Sequence, residues 1–254
     1  MPSNLLIGNA GVGLGATSVA VNNTANTSYP VTNLFGGTKP DYFMLNTATS
    51  GDTRITINNT SQSCDFLYLG KALLLKNSNV GTITIRGHSV DNYAAATTVA
   101  TISSFGSASM VGPDSDDFIT TFALSSSFPW WYINYNASAA SRIMHSHAFL
   151  GQLFDPGRDP NTGLRILRTR PLGANRRAVY TFEVTWEGLS YAKAVEMYQR
   201  FNRPRRHNPI VLYTSTSHDI LFGNRVLLGR VLSMTQPPRQ TNFVDVSLTF
   251  EELP

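Results

Sequence analysis

The residues best equipped for chemistry in this chain are aromatic, basic and amide side chains, not a convergent set of acids and bases. Trp130 and Trp131 stand side by side in Trp130-Trp-Tyr-Ile-Asn134. Successive residues of a strand point to opposite faces, so one indole is expected in the core and the other at the surface or an interface. An outward indole beside tyrosine could stack on a sugar ring or plug a neighbouring subunit. The sequence leaves both roles open, and Trp130 and Trp131 are the candidate glycan contacts. His145 and His147 would share one strand face and could reach one metal, but no acidic or cysteine side chain lies beside them, and no metal site is assigned. Asp114, Asp116 and Asp117 lack the glycine and distal glutamate of a helical calcium loop and read as a solvated acidic turn. Gly8, Gly11, Gly13 and Gly15 match neither the dinucleotide nor the P-loop spacing and read as a structural loop. No Gly-x-Ser-x-Gly elbow is present. A glycosidase needs two placed carboxylates, whereas the acids of residues 1–150 are all aspartates. The chain is therefore expected to be non-enzymatic, with no cofactor.

The basic residues are unevenly placed. Residues 1–150 carry six Lys/Arg against seven Asp/Glu, whereas residues 151–254 carry fourteen against nine, and thirteen of those fourteen are arginine. Arginine offers a planar fork suited to protein interfaces and to carboxylate or phosphate. Docking to an acidic partner is the favoured reading over nucleic-acid contact, which would use a denser run containing lysine. Arg165, Arg168 and Arg170 on one strand, with Arg203, Arg205 and Arg206 after a helix, are the candidate subunit-interface or DNA-facing residues.

The elements that must position these groups are mostly short strands. Of 254 residues, 42% are hydrophobic and only 14% charged, well under the roughly 25% charged residues of an average soluble domain. Period-2 alternation marks Thr53–Asn58, Gly81–His88 and Trp130–Tyr135 as half-buried strands, and Asn4–Gly8, Phe66–Lys76, Thr97–Ser103 and Ile119–Leu124 are further β segments. Residues 1–155 thus read as a β-sandwich, or jelly roll. After the turn-rich Asp155–Gly163 come strands at Leu164–Arg170 and Arg177–Trp186. The period then changes: Ser190 is a plausible N-cap, and Tyr191, Ala194, Val195, Tyr198 and Phe201 share one helical face, predicting a helix near 190–202. Strands at Pro209–Thr214, Arg225–Met234 and Phe243–Glu251 complete a β-rich α+β domain over 156–254. The fold class is mainly β with one main helix. Cys64, the only cysteine, is read as a small buried hydrophobe. No stretch reaches the ~18 apolar residues of a membrane span, and the N-terminus lacks the pattern of a secretory leader.

Several fragments carry a resemblance. Asn4-Leu-Leu6, Tyr29-Pro-Val-Thr-Asn-Leu-Phe35, Cys64-Asp-Phe-Leu-Tyr-Leu69, Gly81-Thr-Ile-Thr-Ile85, Trp130–Asn134 and Phe149-Leu-Gly151 resemble the discoidin-like (galactose-binding-like) jelly rolls of tailed-phage virion proteins. That family often has a tryptophan where this chain has Tyr42 and Phe43, which leaves sugar binding open. Tyr180–Leu189, the Ser190–Phe201 helix, Pro209–Tyr213, Leu227-Leu-Gly229 and Val244–Glu252 are similar to the belt domain of distal tail proteins. The resemblance implies a structural virion protein at the phage tail tip, made in the host cytoplasm. It would form a ring with itself, typically hexameric, joining tail tube to tail hub, with DNA only in transit through the lumen and the jelly roll turned towards host surface glycan. The alternatives are a carbohydrate-binding module or lectin, a hydrolase with a site assembled from distant residues, and a head–tail connector or capsid decoration protein.

Overall fold

A computed structural model describes residues 5–12, 16–25, 27–35, 43–44, 49–70, 80–103, 117–141, 144–170, 179–201, 209–214, 226–235, 237 and 242–252. The chain divides into two compact units, Ala10–Gly36 with Pro40–Gln152, and Met1–Asn9 with Gly37–Lys39 and Leu153–Pro254. The strands are β1 Leu5–Val12, β2 Ser18–Val21, β3 Phe43–Met44, β4 Thr49–Gln62, β5 Phe66–Gly70, β6 Val80–His88, β7 Thr97–Ile102 and β8 Phe118–Thr121. They continue as β9 Phe128–Ser141, β10 Met144–His145, β11 His147–Phe154, β12 Thr162–Arg170, β13 Val179–Ser190, β14 Pro209–Thr214, β15 Val226–Met234 and β16 Phe243–Glu252. Among the described residues a single α-helix, α1, spans Tyr191–Phe201, and Val31–Phe35 forms a short 3-10 segment. Among the described residues no helix is long and apolar enough to cross a membrane.

In the first unit an antiparallel sheet runs β2-β4-β9-β6-β7, facing β5 with its neighbours β8 and β11. Alternation decides what lies between them. Ile55 and Ile57 of β4, Ile83 and Ile85 of β6, and Trp131, Ile133 and Tyr135 of β9 meet Leu67, Leu69, Phe118, Ala148 and Leu150 in one core. This is the β-sandwich that the alternating pattern implies. The buried Trp131 indole donates its Nε1–H to the Phe128 carbonyl at 2.9 Å, so its polar atom is satisfied inside the core. Cys64 is buried there too; desolvation first and Asp65 second hold its thiol well above the ordinary value, so it stays a protonated, packed side chain.

In the second unit the strand order is β12-β13-β16-β15-β14-β1, all antiparallel. Helix α1 packs on β13 and β16. Ser190 Oγ accepts the Lys193 amide at 3.4 Å, the N-cap bond expected from sequence. The buried helical face is Ala194, Met197 and Phe201, with Tyr191 and Tyr198 packed at its margins. Val195, placed on that face by spacing, is instead half-buried, and Met197 takes the central position. Residues Leu5–Asn9 pair with Ile210–Thr214, so the opening strand, read from sequence as the start of the sandwich, completes the sheet of the later domain.

Candidate binding face

The opposite face of the five-stranded sheet carries the polar residues of the same alternating strands. Cross-strand register sets them in rows. Asn58, Trp130 and His88 form one row; Thr56, Tyr132 and Arg86 the next; then Arg54, Asn134 and Thr84. β9 lies between β4 and β6, so side chains more than thirty residues apart in sequence become neighbours. The loop joining β6 to β7 folds over this face. His88 Nδ1 lies 3.0 Å from the Val90 carbonyl oxygen, and the Ala95 amide donates to Asn92 Oδ1 at 3.2 Å, which closes the turn. The Tyr132 hydroxyl donates to Asp91 Oδ1 at 3.0 Å and ties the loop to the sheet.

Tyr93, at the centre of that loop, is the hub. Its ring meets Tyr132 edge to face with centroids 5.4 Å apart. The guanidinium carbons of Arg54 and Arg86 lie over it at 4.3 Å and 4.8 Å from its centroid. No described residue supplies either guanidinium with an ion pair, and Nε of both, buried, lacks a hydrogen-bond partner. Beside them Asn134 is 4% exposed and its Oδ1 is also unpartnered. Buried polar atoms are nearly always paired in native proteins, and an exception calls for an explanation. Trp186 Nε1 and Thr214 Oγ1 are others, in the second unit; here two such atoms belong to the guanidinium groups over the Tyr93 ring, and the third lies in register with Arg54. Burial, then the Asp91 bond, push the Tyr132 phenol from 10 up to about 12, so it remains a hydrogen-bond donor at neutral pH.

The two indoles divide as strand geometry requires: Trp131 is in the core, and Trp130 is half-buried on the outer face, in the row next to Tyr132. Trp130 is therefore the one of the pair available to a ligand. Trp130, Tyr93, Arg54, Arg86 and Asn58 are each half-buried, so the face presents aromatic rings, two cationic forks and an amide over the buried Tyr132 and Asn134. It can stack on a flat apolar surface while bonding polar substituents around it.

No family model matches this chain. Nor does any curated protein. Solved structures that the chain matches in part include carbohydrate-binding modules. Chitosan-binding module 1 of a Paenibacillus sp. IK-5 chitosanase/glucanase matches 56% of this chain and 97% of its own length, at 13% identity and TM-score 0.42. Module 2 of that enzyme, in complex with chitotriose, matches 56% of this chain and 99% of its own, at 14% identity and TM-score 0.41. A Ruminococcus gnavus GH29 fucosidase in complex with fucose matches 57% of this chain at 12% identity and TM-score 0.44, and the chain spans only 27% of that enzyme.

The remaining candidates fall elsewhere. Arg165, Arg168 and Arg170 lie on β12, opposite Glu183, Thr181 and Val179 of β13, with a register shift between Ile166 and Arg168. Arg203, Arg205 and Arg206 lie outside the described residues, as do Asp114 and Asp116. His147 is buried on β11, its Nδ1 3.0 Å from Ser146 Oγ, and among the described residues no group of three or more His, Cys, Asp or Glu could hold a metal. Sequence reasoning did not single out Arg54, Arg86, Asp91 and Tyr93. Strand parity puts Arg54 and Arg86 opposite the isoleucines, but it contains neither the strand order nor the fold of the β6–β7 loop.

Proposed function

We propose that this protein is a non-catalytic recognition and assembly protein whose β-sandwich unit binds carbohydrate on the outer face of the β2-β4-β9-β6-β7 sheet. The observation that carries this reading is the half-exposed Trp130 in the row beside Tyr132, whose ring meets Tyr93 with the guanidinium groups of Arg54 and Arg86 over it. A pyranose has an apolar C–H face and a rim of hydroxyls, and it calls for this combination of ring and hydrogen-bonding groups. The loop is already pinned, so little ordering entropy opposes binding. On a glycan array the wild-type protein is expected to give saccharide hits, with intrinsic tryptophan fluorescence changing on titration of the best one. Trp130→Ala and Tyr93→Ala should each weaken that binding about tenfold or more, the loss of one well-placed aromatic anchor. An array without hits would remove the reading.

A second reading, compatible with the first, concerns the other unit. Among the described residues β12 ends its sheet, and Arg165, Ile166 and Leu167 are all exposed on it. An open edge strand with exposed apolar residues is a template for pairing with another chain. It supports the virion role implied by the sequence resemblance: a ring of copies at a phage tail tip, between tube and hub. Light scattering at high concentration is expected to give a closed oligomer that Leu167→Glu dissociates; a monomer at every concentration argues against it.

A further inference from the structure

We infer that the outer sheet face selects acidic saccharides, with Arg54 and Arg86 taking the carboxylate or sulfate of the sugar. This rests on the reading that the face binds glycan and adds the class of glycan. Both guanidinium groups are held against the neutral ring of Tyr93, which attracts them without neutralising them. The nearest carboxylate of the loop, Asp91, is engaged by the Tyr132 hydroxyl, and no described acid pairs with either arginine. Two like charges are thus packed against one ring, half-buried, with a donor of each unpartnered. An anion relieves that arrangement more than a neutral hydroxyl can, because a guanidinium fork meets a carboxylate or sulfate with charge-assisted bonds.

The rest of the face narrows the choice to a sugar. A bare inorganic anion meets only the guanidinium groups, whereas a sugar bearing an anionic group also covers the half-buried rings of Tyr93 and Trp130. The adjoining row, Asn58, Trp130 and His88, extends the same face towards a second sugar ring.

The test uses the full-length chain and the best anionic hit from an array of carboxylated, sulfated and neutral glycans. That hit is titrated beside its uncharged form, the methyl ester or the desulfated sugar. Hits should concentrate among the anionic glycans, and the carboxylated and sulfated arms identify which group is taken. Removing the charge is expected to weaken binding about tenfold or more. Arg54→Gln and Arg86→Gln should each erase most of that difference, so that the charged and uncharged forms bind each variant with nearly equal affinity. For wild type, which needs no altered fold, raising salt from about 50 to 300 mM should weaken the anionic ligand and spare the neutral one. Equal affinity for charged and uncharged forms, insensitive to salt, would overturn the inference and leave glycan binding standing. Inorganic phosphate or sulfate competing as well as the sugar would also overturn it, by making the site a simple ion site. No binding to any glycan defeats this inference and the reading beneath it together.

Discussion

Tyr132 shows how much one side chain can settle on this face. Its ring is buried under Tyr93, and its hydroxyl holds the covering loop through Asp91. Its pKa is raised in the folded state, so the stability it contributes is fully present below pH 10 and is lost as pH rises through about 12. Denaturant titrations across that window should show stability falling with pH, and Tyr132→Phe should flatten that fall while costing about 1 kcal/mol at neutral pH for the missing bond. A Tyr132→Phe profile as steep as wild type would contradict the assignment. The adjacent indoles give a second residue-scale prediction. Trp131→Ala opens a core cavity and should cost about 3–5 kcal/mol, whereas Trp130→Ala should cost about 1 kcal/mol and act mainly on ligand binding. Thermal melts of the two variants separate these roles. That the indoles must part company was legible in the sequence; which of them is core follows from parity with Ile133 and Tyr135, once the register of β9 is fixed.

At the scale of elements, close backbone approaches matter more than composition suggests. A side chain at Gly229 in β15 would overlap the Glu251 carbonyl oxygen and the Phe250 ring of β16. Gly229→Ala should therefore destabilise the second unit by about 1–3 kcal/mol. Gly81→Ala in β6 is the control, because its nearest neighbour would be the Asn136 carbonyl oxygen at 3.9 Å, ordinary contact. Urea midpoints of the pair test this. Next to Gly229, Arg230 donates through Nε and Nη2 to Glu251 Oε2, at 2.9 Å and 2.6 Å, across the β15–β16 pair. The Ser190 cap, with its bond stretched to 3.4 Å, sits at the weak end of capping: Ser190→Ala should cost about 0.5 kcal/mol, read as a small drop in melting temperature. Alternation and the change of period located most strands and α1 in the sequence, because those signals are local. The Met197-for-Val195 exchange was not legible. The direction from which β13 and β16 approach the helix selects among neighbouring stripes, and that is a tertiary fact.

Over the whole molecule, the sequence order of the elements conceals one pairing. Residues Leu5–Asn9 lie far from β14 in the chain yet complete its sheet, and Leu5 and Ile7 are fully buried in the core of the second unit. A chain beginning at residue 156 should therefore be poorly folded by circular dichroism, while one that rejoins residues 1–9 to 153–254 through a flexible linker should recover a cooperative melt. Equal stability of the two would show that β1 contributes nothing there. Neither that pairing nor the assembly of Arg54, Arg86 and Tyr93 could be read from short-range pattern, because both depend on which strands become neighbours. Those neighbours create the outer face of the β2-β4-β9-β6-β7 sheet. Glycan binding there is tested most directly by hydrogen exchange followed by mass spectrometry, with and without a saturating array-selected glycan. Added protection is expected in β4, β6, β9 and residues 88–96, with the second unit unchanged; protection confined to other segments would contradict binding at this face.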